Sequence, residues 1–396
     1  LNNIGISMVK GASMRIGSDD DFSETGLRFT MQVSKDDYEA VQFDELYESV
    51  EWGMLIAPVE SVKAAEFNAA NVFGDNAVYV LNEPTEEEGK YAAINVSETQ
   101  LTLASETKLQ IENAENYYVF SGYVHSIKEG NLTRGFVGCG YVKYTVKGEE
   151  TPQYRFAEYF GGDIENNTRS AYYVAQKYVD DTTVTNAAAQ KFVNDNYLQN
   201  SVALASATVS VSVDDYREDI TIGSYNSDPT KTTERTVQIG KTLDLNEAVE
   251  GYTLRKDLSK NLSIEPTYAR NDLTAERKYE SNEFIPFSPA GKVSLVDAEA
   301  TEGEWAGAYK YTSTTKGDQG LQFATYMNGT NDKILRGKAS STTGKYLAGY
   351  VNMMIRWESA GSGGFNLVSL LGDYKNSYNS DWCVSTNWFS GNGGNF

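Results

Sequence analysis

The chain has 396 residues, of which 55 are Asp or Glu and 34 are Lys or Arg, so its formal net charge at neutral pH is -21. A surface this acidic repels nucleic acid and anionic lipid headgroups, and we predict neither as a partner. One histidine and two cysteines exclude a histidine-based zinc site, a zinc finger and a disulfide scaffold. No apolar run reaches the length of about 18 residues that a membrane helix needs, so no direct membrane insertion is predicted.

The first part of the chain, residues 1–198, has the pattern of an α+β module. Two alternating runs, 11–16 and 26–33, flank an acidic turn and predict a β-hairpin. Ser34, followed by Asp36 and Asp37, predicts the capped start of a helix. The apolar stripe expected on this helix consists of Tyr38, Val41, Leu46 and Val50.

Later runs in this module predict three further strands and two closing helices. The strands are expected at 52–57, 117–127 and 135–146, and the helices at 169–179 and 186–198. The run 135–146 alternates strictly, so its two faces carry different side chains. Cys139 lies between Gly138 and Gly140, and we interpret it as a small buried residue whose glycine neighbours relieve crowding against another element.

Six segments of this module occur in a recognisable order. They are GASMR at 11–15, GLRF at 26–29, WGMLIAP at 52–58, NLTRGFVG at 131–138, YVKY at 141–144 and RSAYYVAQK at 169–177. Together they resemble a module of large, multi-module extracellular surface proteins of gut Firmicutes. The resemblance implies an extracellular protein, secreted or at the cell surface, and supplies no catalytic residue.

Residues 199–282 predict a small β-module or structured linker. Val and Ser alternate in 202–213, which indicates a strand or an extended linker, and 237–245 and 264–268 are short β-like runs. Pro266 weakens the last of these runs. We expect a helical fragment at 273–279 to end the segment.

The last part, residues 283–396, predicts a β-sandwich that is jelly-roll-like and incomplete at its end. Apolar alternation recurs between Gly, Asn and Ser turns. The runs are 307–312, 321–327, 349–357, 365–371 and 382–389. The pattern is similar to concanavalin-like and carbohydrate-binding jelly rolls. The whole chain is therefore expected to be mainly β and multi-domain, divided into 1–198, 199–282 and 283–396.

Candidate ligand-binding residues lie in this last segment. Trp382 and Trp388 flank a polar strand near loops, and aromatic faces of this kind stack on sugar rings. In the strand around 350–357, Tyr350, Asn352 and Arg356 share a mixed face that offers a platform and hydrogen-bonding groups. The alternative is that the tryptophans pack in the core and the polar face is merely solvated.

No catalytic or metal site is predicted. Paired carboxylates would be needed for a glycosidase, but no segment has the alternation of aromatic and glutamate residues that a jelly-roll hydrolase shows. The acidic runs 19–21, 86–88 and 214–215 lack the spacing of a calcium loop, although a structural calcium ion is compatible with a sandwich segment. His125 lies in an alternating strand and is interpreted as an ordinary hydrogen-bonded residue.

Three functions are open from the sequence. The first is a non-catalytic, modular adhesin of a bacterial cell surface that binds glycan or another host or cell-surface component. The second is a self-assembling structural subunit of a surface layer, fibre or phage appendage, whose partners are copies of itself. The third is the accessory region of a carbohydrate-active enzyme.

Overall fold

A computed structural model describes residues 4–18, 21–82, 87–96, 100–103, 114–219 and 224–281, and the strands at 293–295, 309–311, 365–370 and 382–386. The chain is mainly β, as predicted. It divides into two units. Unit 1 comprises Leu1–Val213, Thr233–Asn246 and Asn261–Ala275, and unit 2 comprises Asp214–Thr232, Glu247–Lys260 and Glu276–Phe396. The predicted domain bounds 1–198, 199–282 and 283–396 stay predictions.

Among the described residues, the elements before residue 200 include eleven strands and five short α-helices. The strands are β1 Ile6–Met8, β2 Ser13–Arg15, β3 Gly26–Ser34, β4 Tyr47–Pro58, β5 Tyr79–Leu81, β6 Tyr91–Val96, β7 Gln100–Leu103, β8 Tyr117–His125, β9 Phe136–Val146, β10 Gln153–Phe156 and β11 Thr168–Arg169. The helices are α1 Lys35–Gln42, α2 Val59–Ala64, α3 Ala69–Phe73, α4 Ala171–Asp180 and α5 Ala187–Val193. A π-helical turn at Asn194–Leu198 continues α5.

Two sheets form the frame of unit 1. The first has the order β1-β3-β8-β7, with β2 beside β3, and the second has the order β10-β9-β4-β6-β5, with β11 beside β9. The predicted hairpin is confirmed, because β2 pairs with β3 in antiparallel register from Ser13 opposite Arg28 to Arg15 opposite Gly26. The longest ladder joins β4 to β9, from Tyr47 opposite Val146 to Pro58 opposite Phe136.

Strand β9 is buried on both faces, and each face belongs to a different core. Phe136 and Val142 join the core that contains Phe29 and Met31 of β3. The other face supplies Val137, Cys139 and Tyr141 to a second core with α2 and α3. The alternation predicted for this strand is therefore confirmed.

The glycines of β9 allow the first sheet to pack closely against it. A Cβ atom at Gly138 would lie 2.4 Å from Phe29 Cβ, and one at Gly140 would lie 2.0 Å from Met31 Sδ. Real Cβ atoms do not approach so closely, so only glycine fits at either position. The interpretation that these glycines relieve crowding is confirmed.

The predicted helix after Ser34 begins as expected but is shorter. The Ser34 hydroxyl accepts a hydrogen bond from the Asp37 amide at 3.0 Å, which caps α1. The predicted apolar stripe is wrong at its end, since Val50 belongs to β4 and Leu46 is 54 % exposed. The helix stops because Asp44 closes a turn, its Oδ1 accepting from the Leu46 amide at 2.9 Å.

The described elements from residue 200 to 281 are mostly strands. They are α6 Ser201–Ser206, β12 Thr208–Asp219, β13 Ser224–Tyr225, β14 Lys231–Gln238, β15 Leu243–Asp244, β16 Tyr252–Leu254, β17 Ser263–Ile264 and β18 Leu273–Ser281. One sheet has the order β13-β12-β18-β16, with β14 beside β12, and β15 pairs with β17.

Two predictions for this region are wrong in part. Residues 202–206 are helical, because the Asn200 side chain accepts from the amides of Val202 and Ala203 and starts α6. The predicted helix at 273–279 is strand β18. Its burial alternates, with Ala275, Arg277 and Tyr279 buried, and this two-residue period outweighs the helical propensity of the segment.

Four short strands are described in the last segment. They are β19 Val293–Leu295, β20 Tyr309–Tyr311, β21 Phe365–Leu370 and β22 Trp382–Thr386. They form two antiparallel pairs, β19 with β20 and β21 with β22. Strands β20, β21 and β22 fall in predicted runs, whereas the runs 321–327 and 349–357 lie outside the described residues. The jelly-roll arrangement stays a prediction.

Candidate functional site

A cleft of about 380 Å³ opens on unit 1 beside helix α2. Its walls come from α2, from the loop that leads into β9 and from a five-residue segment between β17 and β18. The lining residues are Val59, Glu60, Lys63, Gly130, Thr133, Arg134, Gly135, Tyr268, Ala269, Arg270, Asn271 and Asp272. The volume falls in the range of about 300–1,000 Å³ that is usual for small-molecule sites.

Glu165 is the centre of the hydrogen-bonded network at this cleft. Its Oε1 lies 2.5 Å from Lys63 Nζ, and its Oε2 lies 2.7 Å from an Nη atom of Arg270. The Tyr268 hydroxyl donates to both carboxylate oxygens, at 3.1 and 3.0 Å. Glu165 therefore holds together α2 and the segment that contains Tyr268 and Arg270, far apart in the sequence.

Asp272 and Arg270 form a planar pair at the cleft. The guanidinium donates from Nε to Asp272 Oδ1 and from Nη2 to Oδ2, the latter at 2.7 Å. This two-point geometry fixes both groups better than a single bond would. Hydrogen bonding to Asp272 raises the pKa of Arg270, and the same bonds lower the pKa of Asp272.

Tyr268 forms part of the cleft wall and is not a free stacking platform, since only 4 % of it is exposed. Its ring lies against Gly135, where a Cβ atom would come within 2.6 Å of Tyr268 Cδ2. The Arg270 guanidinium lies 4.9 Å from the ring centroid. Burial, followed by the charge of Glu165, raises the pKa of the Tyr268 hydroxyl, so this group stays a hydrogen-bond donor.

A second pair completes the cleft and leaves its formal charge balanced. Arg134 donates to Glu60 of α2, and both side chains are partly exposed. Lys63, Arg134 and Arg270 supply three positive charges to the lining of the cleft, and Glu60 and Asp272 supply two negative charges. Glu165 does not line the cleft, but its carboxylate pairs with Lys63 and Arg270 and supplies the third negative charge. The cleft therefore presents fixed donors and fixed acceptors side by side without a large net charge.

The sequence does not predict this cleft. It predicts a strand at 264–268 and a helix at 273–279, and it indicates no role for the residues between them. The sequence does contain one indication of the cleft. Tyr268, Arg270 and Asp272 are spaced two residues apart, so their side chains lie on one side of an extended segment. The contribution of Lys63 and Glu165 had no local signal, because they lie more than 100 positions from Arg270 and from each other.

A buried ion pair lies in unit 2. Arg277 of β18 donates to both carboxylate oxygens of Asp215, at 2.6 and 2.9 Å, and to Glu247 at 2.6 Å. The side chains of Arg277 and Asp215 are 3 % and 7 % exposed. Tyr279 contributes a further bond, from its hydroxyl to the Glu247 carbonyl at 3.0 Å. Because the buried Arg277 is paired with two carboxylates, we interpret this arrangement as a structural ion pair.

The residues predicted to bind glycan are not tested by the structure. Trp382 is the first residue of β22 and is opposite Leu370 of β21 in the ladder. Tyr350, Asn352, Arg356 and Trp388 lie outside the described residues.

Two single residues noted in the sequence have ordinary roles. His125 is exposed, and its Nδ1 lies 3.0 Å from the Ser126 hydroxyl. The Cys139 thiol is free and 2 % exposed, and burial raises its pKa to about 12. It is therefore a protonated, buried thiol at neutral pH.

Within the described part of the chain, no group of three or more His, Cys, Asp or Glu side chains is placed to hold a metal ion. Among those same residues no helix has the length and apolar character needed to cross a bilayer. Comparisons with protein-family models, curated proteins and solved structures found no match.

Proposed function

We propose that the chain is a non-catalytic, extracellular protein of a bacterial cell surface that binds glycan, and that the cleft of unit 1 is one place where it does so. One observation carries the proposal. At the cleft, the guanidinium groups of Arg134 and Arg270 pair with the carboxylates of Glu60 and Asp272, so hydrogen-bond donors and acceptors lie side by side and hold one another in place.

Such an array suits a polyhydroxylated ligand. Each sugar hydroxyl donates one hydrogen bond and accepts others, so it needs donors and acceptors at neighbouring positions. A cleft with unpaired charge would favour an anion or a cation, whereas balanced and fixed groups favour a neutral polar molecule. Since Tyr268 is buried in the wall, hydrogen bonding rather than ring stacking would supply the affinity here.

The ionisation of the cleft supports a binding role over a catalytic one. Hydrogen bonding raises the pKa of Arg270 and lowers that of Asp272, and burial raises that of Tyr268. Each of these groups stays in one protonation state near neutral pH. General acid-base catalysis uses groups whose pKa lies near the working pH.

A glycan array probed with the full chain tests the proposal. We expect Arg134→Gln and Asp272→Asn to weaken binding about tenfold or more, since a hydrogen bond to a charged group contributes about 1.5–3 kcal/mol. Lys143→Gln is the matched control, because it breaks an exposed ion pair with Glu51 that is not part of the cleft.

The array also separates the cleft from the predicted C-terminal platform. Trp382→Ala and Trp388→Ala report on that platform, and loss of binding in these variants alone would place the glycan there. If the folded chain binds no glycan, the proposed function is wrong. Filaments or sheets seen by electron microscopy would then favour the self-assembling alternative.

A further inference from the structure

An arginine on the outer face of the first sheet of unit 1 has no acidic partner among the residues that the structure describes. Arg28 lies in β3 between Leu27 and Phe29, which point into the core and are fully buried. Its neighbours across the ladders are Ser13 of β2 and Tyr123 of β8. Arg28 is therefore held within the sheet, with a neighbouring strand on each side.

The guanidinium of Arg28 is left with unused donors. Its Nε donates to the Ser13 hydroxyl at 2.9 Å, and within the described residues it makes no other hydrogen bond and no ion pair. The buried side-chain atoms without partners in the described part of the chain are Arg217 Nε and Thr233 Oγ1. The Nη atoms of the half-buried Arg28 therefore reach solvent, where they can donate to a ligand.

The surroundings of Arg28 add positive charge. Arg15 is near enough that its charge, second to burial, lowers the pKa of Arg28. Arg15 itself pairs with the exposed Glu24 at 3.2 Å, and its guanidinium lies 3.8 Å from the Tyr123 ring centroid. It is thus held in position beside Arg28. Among the described residues, Glu24 is the one carboxylate paired with either arginine, and it pairs with Arg15. In a chain with a net charge of -21, two arginines this close are a local exception.

A small depression beside Arg28 shapes the approach to it. Its lining residues are Val9, Lys10, Gly11, Ala12, Arg28 and Thr30. The turn in its wall needs Gly11, whose φ is +78°. A Cβ atom at this position would lie 3.2 Å from Nε of Arg169, so glycine leaves room for that guanidinium. That arginine donates to the carbonyls of Thr168 and Glu165. The depression is too small to enclose a ligand, so only the oxygens of one group can reach the arginine.

We propose that Arg28, supported by Arg15, binds an oxyanion, either the sulfate or carboxylate of an acidic sugar or a free inorganic ion. Guanidinium groups bind such oxygens with paired, charge-assisted hydrogen bonds. The site lies on the first sheet, and none of its residues lines the cleft beside α2. The two sites are therefore tested separately.

Calorimetric titration of the full chain with sodium sulfate, at constant low ionic strength set with sodium chloride, tests the site. Arg28→Gln should weaken sulfate binding about tenfold or more. Arg28→Lys keeps the charge but loses the paired N–H donors of the guanidinium, and it should weaken binding less. Arg155→Gln is the control, because it removes an arginine from β10 in the second sheet. Its affinity for sulfate should stay within about twofold of that of the wild type. Thermal unfolding in chloride alone checks that each variant folds.

Acidic sugars identify the source of the oxyanion. Glucuronic acid and galactose 6-sulfate, each beside its neutral parent sugar, are titrated into the same variants. Binding of inorganic sulfate that requires Arg28 supports the site, and tighter binding of an acidic sugar would make that sugar group the ligand. Equal affinities for every probe in the wild type and in Arg28→Gln, or binding of none, would overturn the proposal.

Discussion

Substitution of Gly138 is the most direct test of the packing in unit 1. A Cβ atom there would lie 2.4 Å from Phe29 Cβ and 2.5 Å from Phe29 Cγ, whereas ordinary contact begins at 3.4 Å. Because Cβ is attached directly to the backbone, no change of the Phe29 rotamer can move it away. Strand β3 or β9 must then shift by about 1 Å to restore an ordinary contact.

We expect Gly138→Ala to lower the free energy of unfolding by about 3 kcal/mol, at the upper end of what overpacking costs. The measurement is urea unfolding followed by circular dichroism, with the midpoints compared at equal slope. Gly130→Ala is the control, since nothing lies within 4 Å of its added Cβ, and it should change stability by less than about 0.5 kcal/mol.

A companion variant separates backbone crowding from side-chain crowding. At Gly140 the closest atom is Met31 Sδ at 2.0 Å, with Cγ at 2.7 Å and Cβ at 2.8 Å. Met31→Ala removes the first two, so Gly140→Ala should cost less in that background than in the wild type. If Gly138→Ala proves as stable as Gly130→Ala, the close approach of β3 to β9 is wrong.

Three further outcomes are expected. Asp215→Ala should lower the free energy of unfolding by about 3–5 kcal/mol, because it leaves Arg277 buried without its main partner. The double variant Asp215→Ala with Arg277→Met should lose less. Urea unfolding measures both, and a double variant that loses the sum of the two single losses would contradict the pairing. Asp272 has a pKa lowered by its hydrogen bonds to Arg270, so its contribution to stability is present above the unfolded value of about 3.9 and is lost as pH falls through the lowered pKa. The difference in melting temperature between the wild type and Asp272→Asn should therefore shrink as pH falls below about 4, and a difference that stays constant there would refute the reasoning. Cys139, with its pKa raised to about 12 by burial, should resist iodoacetamide at pH 8 until urea unfolds the chain, as read from the mass of its peptide.

What the sequence predicts well are features that depend on neighbours in the chain. The Ser34 cap and the two faces of β9 each follow from residues a few positions apart, whereas the side chains that crowd Gly138 and Gly140 belong to β3, more than 100 positions away. The segment 273–279 was misassigned because Ala, Glu, Arg and Lys favour helices, while the burial of alternate residues in the folded chain favours a strand.

The cleft beside α2 and the arginine site on β3 could not be predicted for a different reason. Lys63, Glu165 and Arg270 meet only after the chain has folded, and no short-range pattern connects them. For Arg28 the decisive fact is the lack of a carboxylate partner among the described residues, which a sequence rich in acids gives no reason to expect.

The double burial of β9 has a consequence for how unit 1 unfolds. A partly opened form that kept only one of the two cores would expose the opposite face of β9, and with it either Val142 or Tyr141. Such a form gains little chain entropy, because the strand itself stays ordered, yet it loses the burial of a whole row of apolar side chains. The two cores should therefore melt in one transition, and proteases should cleave β9 only after both cores have opened.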